Sequence, residues 1–338
     1  MTRPVSEQVV VVTGASSGVG RACVREFAAR GARLVLIARS EEGLAAAADE
    51  VRRAGSEALV VPLDLADSDA VERAAALAEE RFGRIDTWVN NAMVSVFSPV
   101  SEMTAEEYRR ITDVTYLGTV YGTLAALRRM RPRDEGTIIQ IGSALAYRSI
   151  PLQSGYCAAK SAVRGFTDSL RSELVHDKSR IRVSMLQLPA VNTPQFDVVR
   201  SRLPRKAQPV PPIYSPEMIA RAVVWTAEHP VREMVIGGSA LQAILGQKLI
   251  PGLLDRYLGG TGYDAQQTAQ PVDADRQDNL YHPVPGDHGA HGRFTDESAD
   301  HSLQLWVRMH QGSVSVVAAL SAALALAGIG LATRGRRR

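Results

Sequence analysis

The sequence predicts a doubly wound α/β fold built on a seven-stranded parallel sheet, and three observations carry that expectation. Apolar runs of strand length recur up to about residue 240, with helix-periodic stretches between them. The runs are apolar on both faces, so helices have to cover both sides of the sheet. The chain has 338 residues, 45% of them hydrophobic, enough for a buried core of that size.

In chain order the strands are expected at residues 9–12, 33–38, 58–62, 87–89, 137–141, 182–188 and 234–236. Ligands of such sheets bind at the carboxyl ends of the strands, so the residues that follow each run are the first candidates for chemistry. Residues 1–240 form one domain on this reading, and 241–311 form an extension, partly helical and largely irregular. Leu241, Ile244, Leu245, Leu249, Leu253 and Leu254 outline a short amphipathic helical pair broken at Pro251. Residues 259–301 are rich in Gly, Asp, Gln, Pro and His and read as a long loop packed on the domain or on a partner copy. Residues 312–338 form a third unit, an apolar helix with a basic tail. Its uncharged core, 314–332, is just long enough to span a bilayer, and reads as a terminal anchor, a helix lying in the interface or a buried helix of an oligomer.

Charge and cysteine content narrow the function. Thirty-nine basic and 36 acidic residues leave a net charge of +3, which points to small molecules and away from nucleic acid. Cys23 and Cys157 both fall in helix-patterned segments, as reduced thiols of a cytoplasmic protein do, and residues 1–8 show no signal-peptide pattern. The expected location is therefore the cytoplasm, with membrane contact through 314–332. Five histidines, His282, His288, His291, His301 and His310, lie in the extension, but their spacing forces no convergence and no metal site is expected.

The first strand runs into Thr13-Gly14-Ala15-Ser16-Ser17-Gly18-Val19-Gly20 and then into a helical run. Strand, glycine turn and helix in that order present main-chain N–H groups to a diphosphate without side chains in the way. The second strand ends in Ala38-Arg39-Ser40, with no carboxylate for a ribose 2′-hydroxyl. A guanidinium there favours a 2′-phosphate, hence NADP(H) over NAD(H). Downstream, Tyr156 and Lys160 are four apart in a helix-patterned segment, which stacks phenol and ammonium on one face. A fixed cation beside a phenol stabilises phenolate and makes it a usable acid and base.

This turn spacing, together with the Tyr-x-x-x-Lys pair, resembles the short-chain dehydrogenase/reductase family, over about residues 8–238. The resemblance implies a single-domain Rossmann fold, a homodimer or homotetramer, and specific roles. Gly14, Ser16, Ser17, Gly18, Val19 and Gly20 would hold the phosphates, with Ser16 joining Arg39 on the 2′-phosphate. Asp64 and Leu65 would contact the adenine, and Asn91 and Ala92 would line the cofactor. Pro189 and Thr193 would sit against the nicotinamide, and residues 195–214 would form a substrate lid. Ser143 would orient the substrate, Tyr156 would exchange the proton, and Lys160 would also bond the nicotinamide ribose. Thr115 stands where the family has an Asn that kinks its helix and holds a relay water, and Met93 and Ala190 stand in places of Gly.

The expected function is hydride transfer between NADP(H) and a carbonyl or alcohol, lipophilic if the C-terminus meets a membrane. Arg200, Arg202, Arg205 and Lys206 in the lid admit two readings, a solvated face or a preference for acidic substrates. Thr115 and Met93 keep a second function open, a nucleotide-binding sensor or scaffold without turnover.

Overall fold

A computed structural model of the chain describes residues 3–273 and 275–310. Seven strands form the main sheet: β1 Val9–Thr13, β2 Arg33–Ala38, β3 Ala58–Pro62, β4 Thr87–Asn90, β5 Thr137–Ser143, β6 Arg182–Leu188 and β7 Glu233–Val235. All neighbours pair in parallel, in the order β7-β6-β5-β4-β1-β2-β3. The chain winds outward from β1 to β3 and then crosses back to β4. That reversal opens a crevice above the carboxyl ends of β1 and β4, where such sheets bind ligands. β1 shows why both faces need cover, since Val10 and Val12 enter one core and Val9 and Val11 the other.

Helices α1 (Gly18–Ala28), α2 (Glu41–Arg53) and α8 (Pro216–Glu228) close the first of these cores. On the other face lie α3 (Ser68–Phe82), α5 (Gly118–Met130) and α6 (Ser154–His176). Local chemistry starts several of them. Ser40, Asp67 and Ser215 accept hydrogen bonds from the first turns of α2, α3 and α8. Thr104 and Glu107 form a reciprocal capping box on α4 (Ala105–Ile111). Between α4 and α5 the chain makes a π-helical segment, Thr112–Leu117, with Thr115 inside it.

Four of the seven strands differ from the expected bounds by one or two residues, β1 and β4 each ending one residue later. β5 continues through Gly142 to Ser143, so Ser143 is held by the sheet itself. β7 begins one residue earlier than expected, at Glu233.

The extension is woven into the domain. Helices α9 (Gly238–Leu249) and α10 (Pro251–Thr261) are separated by Ile250, with Pro251 opening the second. Gln267–Pro271 pairs antiparallel with Arg205–Ala207. Ile213–Tyr214 lies between Ala190–Val191 and Ser298–Ala299, so lid and extension share strands. Phe294 of the extension packs edge-on against Phe196 of the short α7 (Gln195–Val198), and Ala290 and Leu305, the latter in α11 (Leu303–Met309), join the main core. Segment 314–332 and its basic tail lie outside the described residues. Among the described residues no helix is long and apolar enough to cross a membrane.

Candidate active site

The turn after β1 is shaped by three glycines, each with its own steric reason. Gly14 and Gly18 have φ of +69° and +57°, where a side chain is strained. A Cβ on Gly20 would collide with the carbonyl oxygen of Gly14 and the amide of Asn91. Thr13 fixes the turn to β4, because its Oγ1 accepts from the N–H groups of Asn91 (2.9 Å) and Ala92 (3.2 Å), while Asn91 Nδ2 donates to Thr13 O (2.9 Å). Behind it, Asn90 donates to Gln140 Oε1 (2.9 Å) and Thr123 Oγ1 (3.1 Å) and accepts from Trp88 Nε1 (2.8 Å). Gly122 leaves the room this buried network needs, since a Cβ there would strike Asn90 and Trp88.

The crevice is a cavity of about 700 Å³. At its nucleotide end lie Gly14, Ser16, Ser17, Gly18 and Val19 with Arg39, Asp64 and Leu65. Asn91, Ala92, Pro189 and Thr193 line its middle, and Ser143, Tyr156 and Lys160 its far part. Gly20 and Thr115, also singled out from sequence, are not in the lining; Gly20 lies behind the turn and Thr115 behind the wall.

Three of these residues have partners that were not expected. Gly18 N–H donates to Gly289 O (3.0 Å) rather than pointing free into the crevice. Arg39 donates through Nη1 to Tyr281 O (3.0 Å) and Leu280 O (3.3 Å) and through Nη2 to Asn279 O (2.5 Å), which leaves Nε–H and one Nη2–H for a ligand. Asp64 is paired with Arg110 (2.5 Å). Burial works to raise the Asp64 carboxyl, but the bond from Arg110 and the N–H of Ala66 hold it below its ordinary value. Arg39 is shifted downward by burial and by the like charge of Arg110.

At the chemical end, Tyr156 and Lys160 lie one turn apart near the start of α6. Lys160, 3% exposed, donates to Ile141 O (2.7 Å) and stands 5.7 Å from the centre of the Tyr156 ring. Burial lowers its pKa to about 8. Burial also pushes the Tyr156 phenol well above its ordinary value, against the hydrogen bond from Ser143. Desolvation is the leading cause of that rise. Thr115 Oγ1 donates to Val94 O (3.0 Å) and accepts from Val94 N (3.1 Å), so its hydroxyl is engaged with the main chain.

The substrate end is closed by parts sequence reasoning did not assign to the site. Leu254, Tyr257 and Leu258 of α10 and Ala243 of α9 face the cavity with Leu145, Ile150 and Phe196. Arg148 ties this wall together, bonding Gln247 (2.7 Å) and Asp255 (2.7 Å). The basic lid residues are all paired: Arg200 with Glu107 (3.3 Å) and Asp278 (2.9 Å), Arg202 with Glu107 (2.8 Å), Arg205 with Asp264 (2.6 Å) and Lys206 with Asp273 (3.3 Å). The cluster keeps a partly solvated face, as at Arg205 and Asp264, and it fastens this segment to α4 and to the extension.

Comparison with known proteins agrees with this architecture. The pattern of the short chain dehydrogenase family matches residues 8–203. An uncharacterized oxidoreductase of Bacillus subtilis, YxnA, is 36% identical over 288 residues, 85% of this chain and 81% of its own. Human dehydrogenase/reductase SDR family member 7 is 39% identical over 173 residues, 50% of this chain and 51% of its own. Among solved structures, a metagenomic short-chain oxidoreductase in complex with NADP superposes with a TM-score of 0.59 at 30% identity, covering 69% of this chain and 98% of that one. An alcohol dehydrogenase from Thermococcus sibiricus complexed with 5-hydroxy-NADP gives 0.59 at 29% identity over 68% and 95%. With its phosphate-type turn, its Ser143, Tyr156 and Lys160 on one cavity and this match across more than half its length, the chain belongs to the short-chain dehydrogenase/reductase family of oxidoreductases.

Proposed function

We propose that the protein is an NADP(H)-dependent oxidoreductase acting on a carbonyl or alcohol of lipophilic character, with Tyr156 as general acid and base. The observation that carries this is the opening of Ser143, Tyr156 and Lys160 onto the same cavity as the glycine turn and Arg39. The residues fit a nicotinamide dinucleotide: the turn leaves space where side chains would intrude, and Arg39 keeps two N–H donors beside Asp64 for a 2′-phosphate. Bound there, the cofactor supplies or takes up the hydride.

The chain's own groups do the rest. Ser143 and Tyr156 hold the substrate oxygen, and the raised phenol stays protonated as the acid of the reductive direction. Lys160, fixed by Ile141 O, keeps a positive charge near the phenol below pH about 8. Leu145, Ile150, Phe196, Val210, Leu254 and Leu258 in the wall favour an apolar substrate body.

The test is a panel of carbonyls and alcohols followed by NADPH absorbance, with Tyr156→Phe as control. Loss of turnover by about 10²–10⁴-fold is expected in the variant. Turnover that survives overturns the assignment of Tyr156, and cofactor binding by wild type without turnover on any substrate favours the sensor reading instead.

A further inference from the structure

Residues 279–292 of the extension cross the cofactor end of the crevice from the Arg39 side to the glycine turn. Leu280 is fully buried among Val94, Val96, Ile111 and Val114 at one end, and Ala290 is buried in the main core at the other. Between these anchors the segment is fastened to the residues of the dinucleotide crevice itself. Arg39 holds the carbonyls of residues 279, 280 and 281, and Arg110 donates to Leu280 O as well (2.9 Å). Arg21 of α1, 1% exposed, pairs with Asp287 (3.1 Å), Gly286 N–H meets Glu42 of α2, and Gly289 O takes the N–H of Gly18. Pro283, Val284 and His288 line the cavity from this side.

We propose that residues 279–292 are a strap that forms the outer wall of the dinucleotide site and sets the rate at which the cofactor leaves. This rests on reading the crevice as a nicotinamide dinucleotide site. Nucleotide contacts made by β1–β3 alone leave the outer side of a bound dinucleotide open to water. Here that side is roofed, and the roof is latched at two places, at Arg39 and Arg110 on the side that would face the adenosine and at Gly18 and Arg21 beside the diphosphate turn. A dinucleotide can exchange only after those latches part. Arg39 acquires a double role: the group that meets the 2′-phosphate is also the one that grips the strap, so NADP(H) and strap closure support each other. The strap is a positioning element and takes no part in proton or hydride transfer.

Two full-length variants test this, both away from Ser143, Tyr156 and Lys160. Asp287→Asn removes the charge facing Arg21 while keeping an acceptor for Gly289 N–H, and Leu280→Ala removes the buried anchor. NADPH dissociation is read by displacement with excess NADP in stopped-flow fluorescence, and deuterium uptake of residues 279–292 is measured with and without NADPH. Expected are a several-fold faster release for Asp287→Asn, at least about tenfold for Leu280→Ala, and suppressed uptake in the strap when NADPH binds. Single-turnover hydride transfer from pre-bound NADPH should stay within about twofold of wild type. Release rates equal to wild type in both variants, or strap uptake indifferent to NADPH, overturn the proposal while leaving the dinucleotide reading intact. Wild type that binds neither NADPH nor NADH overturns both.

Discussion

A methyl group on Gly20 would meet the Gly14 carbonyl and the Asn91 amide, so Gly20→Ala has to push the turn away from β4. The expected cost is about 1–3 kcal/mol of stability with weakened NADPH binding, seen together in thermal melts and fluorescence titration. Lys160 makes an opposite trade between stability and chemistry. Its folded pKa, about 8, lies below the ordinary 10.5, so folding disfavours the charged form. That penalty is fully present below pH about 8 and is relieved between about 8 and 10.5, where the unfolded chain holds the extra proton. Lys160→Met should therefore be inactive yet more stable than wild type at pH 7 by roughly 1–3 kcal/mol, the gap closing as pH rises. Denaturant melts at pH 7 and 10 check this. The same titration predicts that kcat/KM for reduction falls as pH rises past about 8. Tyr156, Lys160, Ser143 and the turn glycines were legible because their reasons are local spacing and strand ends. Gly122 was not, since what excludes a side chain there is Trp88 and Asn90, more than thirty positions earlier.

At the level of elements, α4 and the lid act through one side chain. Glu107 is 2% exposed, caps α4 by accepting from Thr104 N–H (3.0 Å), and takes Arg200 and Arg202 on its other oxygen. Burial works to raise its carboxyl, and the bond from Arg202 leads the groups that hold it below 4.5. Its contribution is complete above pH 4.5 and is lost as pH falls through the folded value. Glu107→Gln should cost about 1–3 kcal/mol and raise KM for substrate more than it lowers kcat, as a loosened lid does. Steady-state kinetics beside a melting curve separate these effects. The π-helical segment Thr112–Leu117 gives a second case, with Thr115 where the family resemblance has an Asn. Its hydroxyl bridges both main-chain groups of Val94, so Thr115→Val should leave a buried N–H and C=O unmatched. Helices, strands and the break at Pro251 were legible in the periodicity. The lid's attachment was not, because Arg205 and Lys206 find their acidic partners nearly sixty positions away or more, in a segment with no period to read.

For the whole molecule, the extension is structurally part of the catalytic unit at every place the described residues show it. It supplies α9 and α10 residues to one part of the cavity wall, residues 283–288 to another, and strands that pair with residues 205–214. The described chain should accordingly unfold in one calorimetric transition, and two resolved transitions would show the extension melting on its own. Composition left two surfaces for this polar, Gly-rich stretch, its own domain or a partner copy, and could not say which residues it would cover; the described residues lie on their own domain. Membrane contact through 314–332 is a separate question, answered by carbonate-washed fractionation of the full chain with and without residues 312–338.

The bond between Gly18 and Gly289 also orders events during synthesis. A ribosome delivers the turn among the first twenty residues, but the partner of that turn emerges only some 270 residues later. At the usual pace of about 5–20 residues per second, the growing chain, once β4 has joined β1, spends several seconds without the segment that the strap proposal places over the crevice. On the strap proposal, a cofactor molecule that enters in that interval is covered once residues 279–292 have docked.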